Sequence, residues 1–228
     1  MPVTADARAT PSIAVQWIKN NILAAIISGV VTLCVSGTRY ATGAADGDAG
    51  LGGLAILYAT ATILWAFSGS ADGLLSGAVL QRIVPLLPAR TWIGLHALMA
   101  VAIGVGSEWL ASGGAKSADD ASMGEVLAAG LVSGAFFGAV IGGLQALVLR
   151  RAALGTGAWI AWSSGAFAIA VAFFAGSTRV LDAGGGLAGE LASQAIGFLT
   201  AVIIALVMLP ALQRLRDPML SRAGEYFS

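Results

Sequence analysis

Reactive and metal-binding side chains are scarce in this sequence. One cysteine, Cys34, and one histidine, His96, stand among 228 residues. A lone cysteine excludes an internal disulfide and any cysteine metal cluster. Charge is equally thin, at 11% of positions, where a soluble domain carries roughly 25%. The 12 basic and 12 acidic residues cancel and form no basic block, which argues against nucleic acid as a partner. Familiar enzyme signatures are missing too: no H-E-x-x-H, no G-x-S-x-G and no phosphate-binding loop occurs. Catalytic residues, cofactor-binding residues and metal ligands are therefore all expected to be none, and the chain is read as non-catalytic.

Apolar residues fill the space that charge leaves. They make up 57% of the chain, and the mean hydropathy is +0.86. Such a chain could not cover its own surface with polar groups in water, so lipid is the solvent that fits. A helix needs about 20 apolar residues to cross the hydrocarbon core. Six candidates satisfy this: about 17–36, one within 51–87, 91–110, 126–149, 158–175 and 187–209. Turn-forming segments separate them, at 43–50, 85–88, 112–120, 155–157 and 182–186. The runs lack the alternation of a membrane barrel. The expected fold is an all-α polytopic bundle forming a single transmembrane domain over 1–228, with short cytoplasmic tails at 1–12 and 213–228. The run 22–35 has the length of a signal peptide, but no good cleavage site follows, and it is read as an uncleaved first span.

Basic residues set the orientation. With six spans and the N-terminus inside, Arg8, Lys19, Arg82, Arg90, Arg150, Arg151, Arg214, Arg216 and Arg222 fall inside; Arg39, Lys116 and Arg179 fall outside. The positive-inside rule then places both termini in the cytoplasm, and a bacterial inner membrane is the expected location. Trp17, Tyr40, Trp92, Trp109, Trp159 and Trp162 lie near predicted span ends, where an aromatic belt is expected. Glu108, Glu125 and Glu190 fall at outer helix ends.

Glycines recur with helical spacing. Gly69, Gly73 and Gly77 stand four apart, and Gln81 follows at the same step. Gly130, Gly134, Gly138 and Gly142 repeat the spacing, and Gln145 follows three later. Each Gln precedes an arginine-bearing turn and a Trp-Ile pair, Trp92-Ile93 or Trp159-Ile160. Spans two and three (about 60–110) thus read as a copy of spans four and five (about 125–175), in parallel orientation. This pattern is similar to repeats in bacterial membrane proteins; it covers about half of the chain and implies no activity. Residues four apart share a helix face, and a glycine row there lets a neighbouring backbone approach closely. A softer row in span six includes Gly189 and Gly197.

Asp72 is the most informative charge. Aligning the spans by Gln81 and Gln145 sets it opposite Phe136, near mid-membrane. The stretch 51–87 is too long for one upright span, at about 55 Å by the helical rise. Its weakest point is Gly69-Ser70-Ala71-Asp72-Gly73, where a broken helix would resemble a transporter site. The plainer alternative pairs Asp72 with Arg82. Gln81 and Gln145 could form a symmetric polar lining, or simple interhelical hydrogen bonds. His96 could ligate haem only with partners on other helices, and none is evident.

Two functions follow. The first is a packing or accessory subunit of a membrane assembly, partnered by the lipid bilayer and by other membrane subunits or a homo-oligomer. The alternative is a small transporter or channel with its path at the repeat interface near Asp72.

Overall fold

The structure, a computed structural model, describes residues 12–45, 47–112, 121–153, 155–181 and 187–215. Helices account for nearly all of them: α1 (Ile13–Ala41), α2 (Leu51–Ile83), α3 (Ala89–Ser112), α4 (Met123–Leu149), α5 (Thr156–Leu181), α6 (Leu187–Val207) and the short α7 (Leu209–Arg214). Six helices are long and apolar enough to cross a membrane. The chain is a polytopic helix bundle, as the hydropathy predicts.

Local chemistry sets several helix ends. Ser12 caps α1, its hydroxyl accepting from the Val15 amide at 3.3 Å. Ser122 and Glu125 form a reciprocal capping box on α4, which satisfies amides that have no partner within the helix. Gly155 turns the chain between α4 and α5 at φ +84°, a conformation that a side chain would strain. Pro210 opens α7 after a turn at Met208. Gln213 and Arg214 thus belong to α7, and Leu215 is buried in the core; the described part of the expected C-terminal tail is packed structure.

Each helix packs on the next in the chain, and α6 closes on α1. The six spans therefore form a ring. Its closest seams are α2–α3 and α4–α5, and its thinnest is α3–α4. Large apolar side chains such as Ile63, Leu98, Val132 and Val180 point outward, where lipid would meet them.

Glycines make the two close seams. A Cβ at Gly73 would stand 2.8 Å from the Ile93 Cα, and one at Gly69 would stand 2.8 Å from the Ala97 Cα. At Gly138 it would meet the Ser164 Cα at 2.8 Å, and at Gly134 the Ala168 Cα at 2.8 Å. Real Cβ atoms do not approach backbone so closely, so only glycine fits. Gly77 packs on the Trp92 ring, Gly130 on Ala172, and Gly142 on Ser163 and Ile160. The rows are spent inside the chain. Gly197 differs, since a Cβ there would meet nothing within 4 Å, and Gly189 is half-buried in the first turn of α6.

Three expectations change. First, α2 runs unbroken through Gly69–Gly73. Its 33 residues reach about 50 Å, so it must tilt or protrude. Second, Asp72 does not pair with Arg82, which donates to Gln16 instead. Third, Trp17, Trp92 and Trp159 turn inward rather than toward lipid, each at most 4% exposed. They pack edge to face, Trp159 lying 6.1 Å from Trp17 and 6.4 Å from Trp92 between ring centroids. Trp109 alone of the belt tryptophans named above is strongly exposed, at 65%.

A polar lumen as candidate functional site

The inward tryptophans belong to the main hydrophobic cluster. It fills the end of the ring where the α2–α3 and α4–α5 turns lie, together with Leu80, Leu87, Leu149 and Leu212. Beyond this plug the ring is not filled. A cavity of about 220 Å³ is lined by residues of all six spans, among them Asn21, Ser68, Asp72, His96, Gln145, Ser163 and Ile204. A second, of about 300 Å³, continues along α1 and α6 past Thr32, Gln194, Gly197 and Ala201. The two share Asn21, Ser28, Asp72, Phe167 and Ile204, so Asp72 stands where they meet.

A hydrogen-bonded chain crosses the α3–α4 seam into this space. Trp159 Nε1 donates to Gln145 Oε1 at 2.8 Å. The Gln145 amide nitrogen lies 3.2 Å from His96 Nε2, and His96 Nδ1 lies 2.9 Å from the Trp92 carbonyl oxygen. A carbonyl only accepts, so Nδ1 carries the proton and Nε2 accepts from Gln145. That assignment follows from the network and describes a neutral imidazole. On the other side, Trp92 Nε1 donates to Ser76 Oγ at 3.0 Å, and Ser76 donates to the Asp72 carbonyl at 2.7 Å.

The Asp72 carboxylate lies 3.8 Å from His96 Nε2, beyond hydrogen-bond reach. Its side chain is 40% exposed, to the lumen, while that of His96 is 6% exposed. No other described group donates to it. Nearby, Ser28 and Ser68 share a hydrogen bond of 2.8 Å across α1 and α2. Trp65 Nε1 is the one buried side-chain donor without a partner among the described residues.

The structure thus brings Asp72 and Gln145 together around His96. Gln81 stays apart, its amide reaching only the Leu87 carbonyl, at 3.4 Å. Gln145 and Ser76 make the same kind of bond: each accepts from a tryptophan near the start of the following helix, Trp159 and Trp92. Sequence reasoning missed the role of His96. The available signal was a single imidazole in an apolar run, which gave no indication of the helices it faces. Among the described residues no group of three or more His, Cys, Asp or Glu could hold a metal ion.

At the far end of the ring, Arg39 of α1 donates to Glu108 of α3 in an ion pair, and the Glu108 side chain is 8% exposed.

No protein-family model matches this chain, and no curated protein or solved structure is significantly similar to it.

Proposed function

We propose that the chain is a small transporter or channel whose path is the lumen of the helix ring. The observation that carries this reading is the cavity inside the ring, walled by all six spans and mostly apolar, with a second cavity meeting it at Asp72. Ionisable groups inside a membrane are costly and ordinarily face a bundle interior or a water-filled space, where they mark pathways. In a bundle that served only to pack, this space would hold side chains.

Duplication supports the same reading. The α2–α3 and α4–α5 pairs use equivalent contacts: Gly69 and Gly138 rest on His96–Ala100 and on Ser163–Phe167 in the same register. We take them as parallel repeats with the lumen at their interface, an arrangement typical of transporters. Aligned this way, Asp72 corresponds to Ile141 rather than Phe136, and Ser163 replaces His96, so one repeat carries the charge. With the turns on the cytoplasmic side, as the basic residues favour, the tryptophan plug closes the inner end and the cavity lies on the outer side of it. The expected location remains a bacterial inner membrane.

The subunit reading draws on the small-residue rows, the scarcity of buried charge and the short loops. The α2 and α4 rows are occupied within the chain, and Gly197 of the span-six row lines the second cavity, which leaves less reason to expect a partner against them.

Water access to the lumen tests the proposal. In a Cys34→Ala background, Ser28→Cys and Ala201→Cys, both half-buried and lining the cavities, should react with a small, membrane-impermeant thiol reagent, and Val132→Cys on the outer face should not. Lumen cysteines as silent as Val132→Cys would refute a solute path.

A further inference from the structure

We propose that the lumen binds one small monovalent organic cation, with Asp72 as its counter-charge, and that a proton on His96 competes with it. The inference rests on the lumen being a solute path and adds the class of solute.

Charge comes first. The residues lining the two cavities include one carboxylate, one imidazole and no lysine or arginine. The imidazole is neutral in the hydrogen-bond network above, and its Nε2, whose lone pair accepts from Gln145, offers no proton to Asp72 at 3.8 Å. An ionised Asp72 therefore has no counter-charge from the wall, and an uncompensated charge in this setting is expensive. An anion would be repelled, and a neutral solute would leave the charge unmet. A single carboxylate is also too few oxygen ligands for a divalent metal.

The walls fit an organic cation. Trp17, Trp65, Trp92, Trp159 and Phe167 line the first cavity. Aromatic faces attract cations, most strongly ammonium groups freed of water. Hydroxyls and amides of Ser28, Ser68, Asn21 and Gln194 supply acceptors around the rest. Cavities of 220 and 300 Å³ meeting at Asp72 give more room than a bare ion needs.

His96 makes the site sensitive to protons. Protonation at Nε2 turns an acceptor into a donor. The Gln145 amide hydrogen then faces another hydrogen, that bond breaks, and Asp72 gains a cation from its own wall. None of the lining residues from α1, α4, α5 or α6 is titratable, so among the lining groups only His96 and the Asp72 carboxyl itself can take up a proton. Bound cation and protonated His96 exclude each other, and affinity for the cation falls as pH falls.

Choline and 3,3-dimethyl-1-butanol, its uncharged carbon isostere, separate the possibilities. Binding to the full-length protein in detergent is followed by tryptophan fluorescence, since four tryptophans line the cavity. Choline should bind at least about tenfold more tightly than the isostere. Asp72→Asn should abolish that preference without lowering the unfolding temperature. Choline affinity should fall as pH falls, and His96→Gln should weaken that dependence. Equal affinities, no choline binding, or an undiminished preference in Asp72→Asn would overturn the proposal. The isostere comparison needs no variant, so a misfolded Asp72→Asn protein leaves it decisive. Equal binding of both probes, with reactive lumen cysteines, would reject the cation and retain the path.

Discussion

Gln145 shows what one polar side chain does at a thin seam. Its oxygen accepts from Trp159 and its nitrogen donates to His96, so it joins α4 to both α5 and α3. Gln145→Leu leaves two buried polar groups unpaired, each costing about 1–3 kcal/mol. Gln81→Leu removes only a long bond to Leu87 and should cost less than about 1 kcal/mol. Thermal unfolding in detergent should therefore rank Gln145→Leu well below Gln81→Leu; the reverse order would contradict the network. The sequence made Asp72 and Gln145 visible because polar groups in an apolar run are few. It gave the wrong partner for Gln145. Gln81 follows Gly77 by four residues and Gln145 follows Gly142 by three, a difference that rotates a side chain by about 100° around the helix. Two glutamines so placed cannot share one role, and the glycine register pairs Gln145 with Ser76 instead.

At the scale of the element, the glycine rows were readable and their use was half readable. Spacing of four identifies a face, but not whether that face meets lipid, a partner or a neighbouring helix. The neighbours decide it: α3 and α5 lie against the rows through backbone atoms. The same glycines made α2 look breakable at Gly69–Gly73. In lipid an open backbone turn leaves polar groups unsatisfied, and close packing on α3 keeps the helix continuous. A pair of substitutions five residues apart in α4 measures this. Gly138→Ala drives a methyl into the α5 backbone and should cost about 1–3 kcal/mol. Gly143→Ala enters open space and should be neutral or slightly stabilising, by up to about 1 kcal/mol. Unfolding midpoints of the two variants should differ by several degrees; equal midpoints would show that the row can separate without loss.

For the whole molecule, hydropathy supplied the number of spans but could not supply their closure into a ring. Mean hydropathy along a helix is blind to which face is polar, and here, tryptophans aside, the inward polar groups are spread thinly, three each on α1 and α2 and one each on α3, α4, α5 and α6. Only their convergence makes a lumen. Six spans bring the start of α1 and the end of α6 to one side, and the proposed orientation, from the excess of arginine around the α2–α3 and α4–α5 turns, sets that side in the cytoplasm. Single cysteines in a Cys34→Ala background check this, provided that each site is exposed. Ala153 is a poor reporter, because it is 5% exposed within the core and would be shielded whichever side it faced. Leu86, between α2 and α3, is 59% exposed and reports cleanly. Ala45, in the turn before α2, is exposed as well. An impermeant maleimide added to intact cells should label Ala45→Cys and spare Leu86→Cys until the membrane is opened. Labelling of Leu86→Cys from outside would invert the molecule and place the tryptophan plug at the outer end of the lumen.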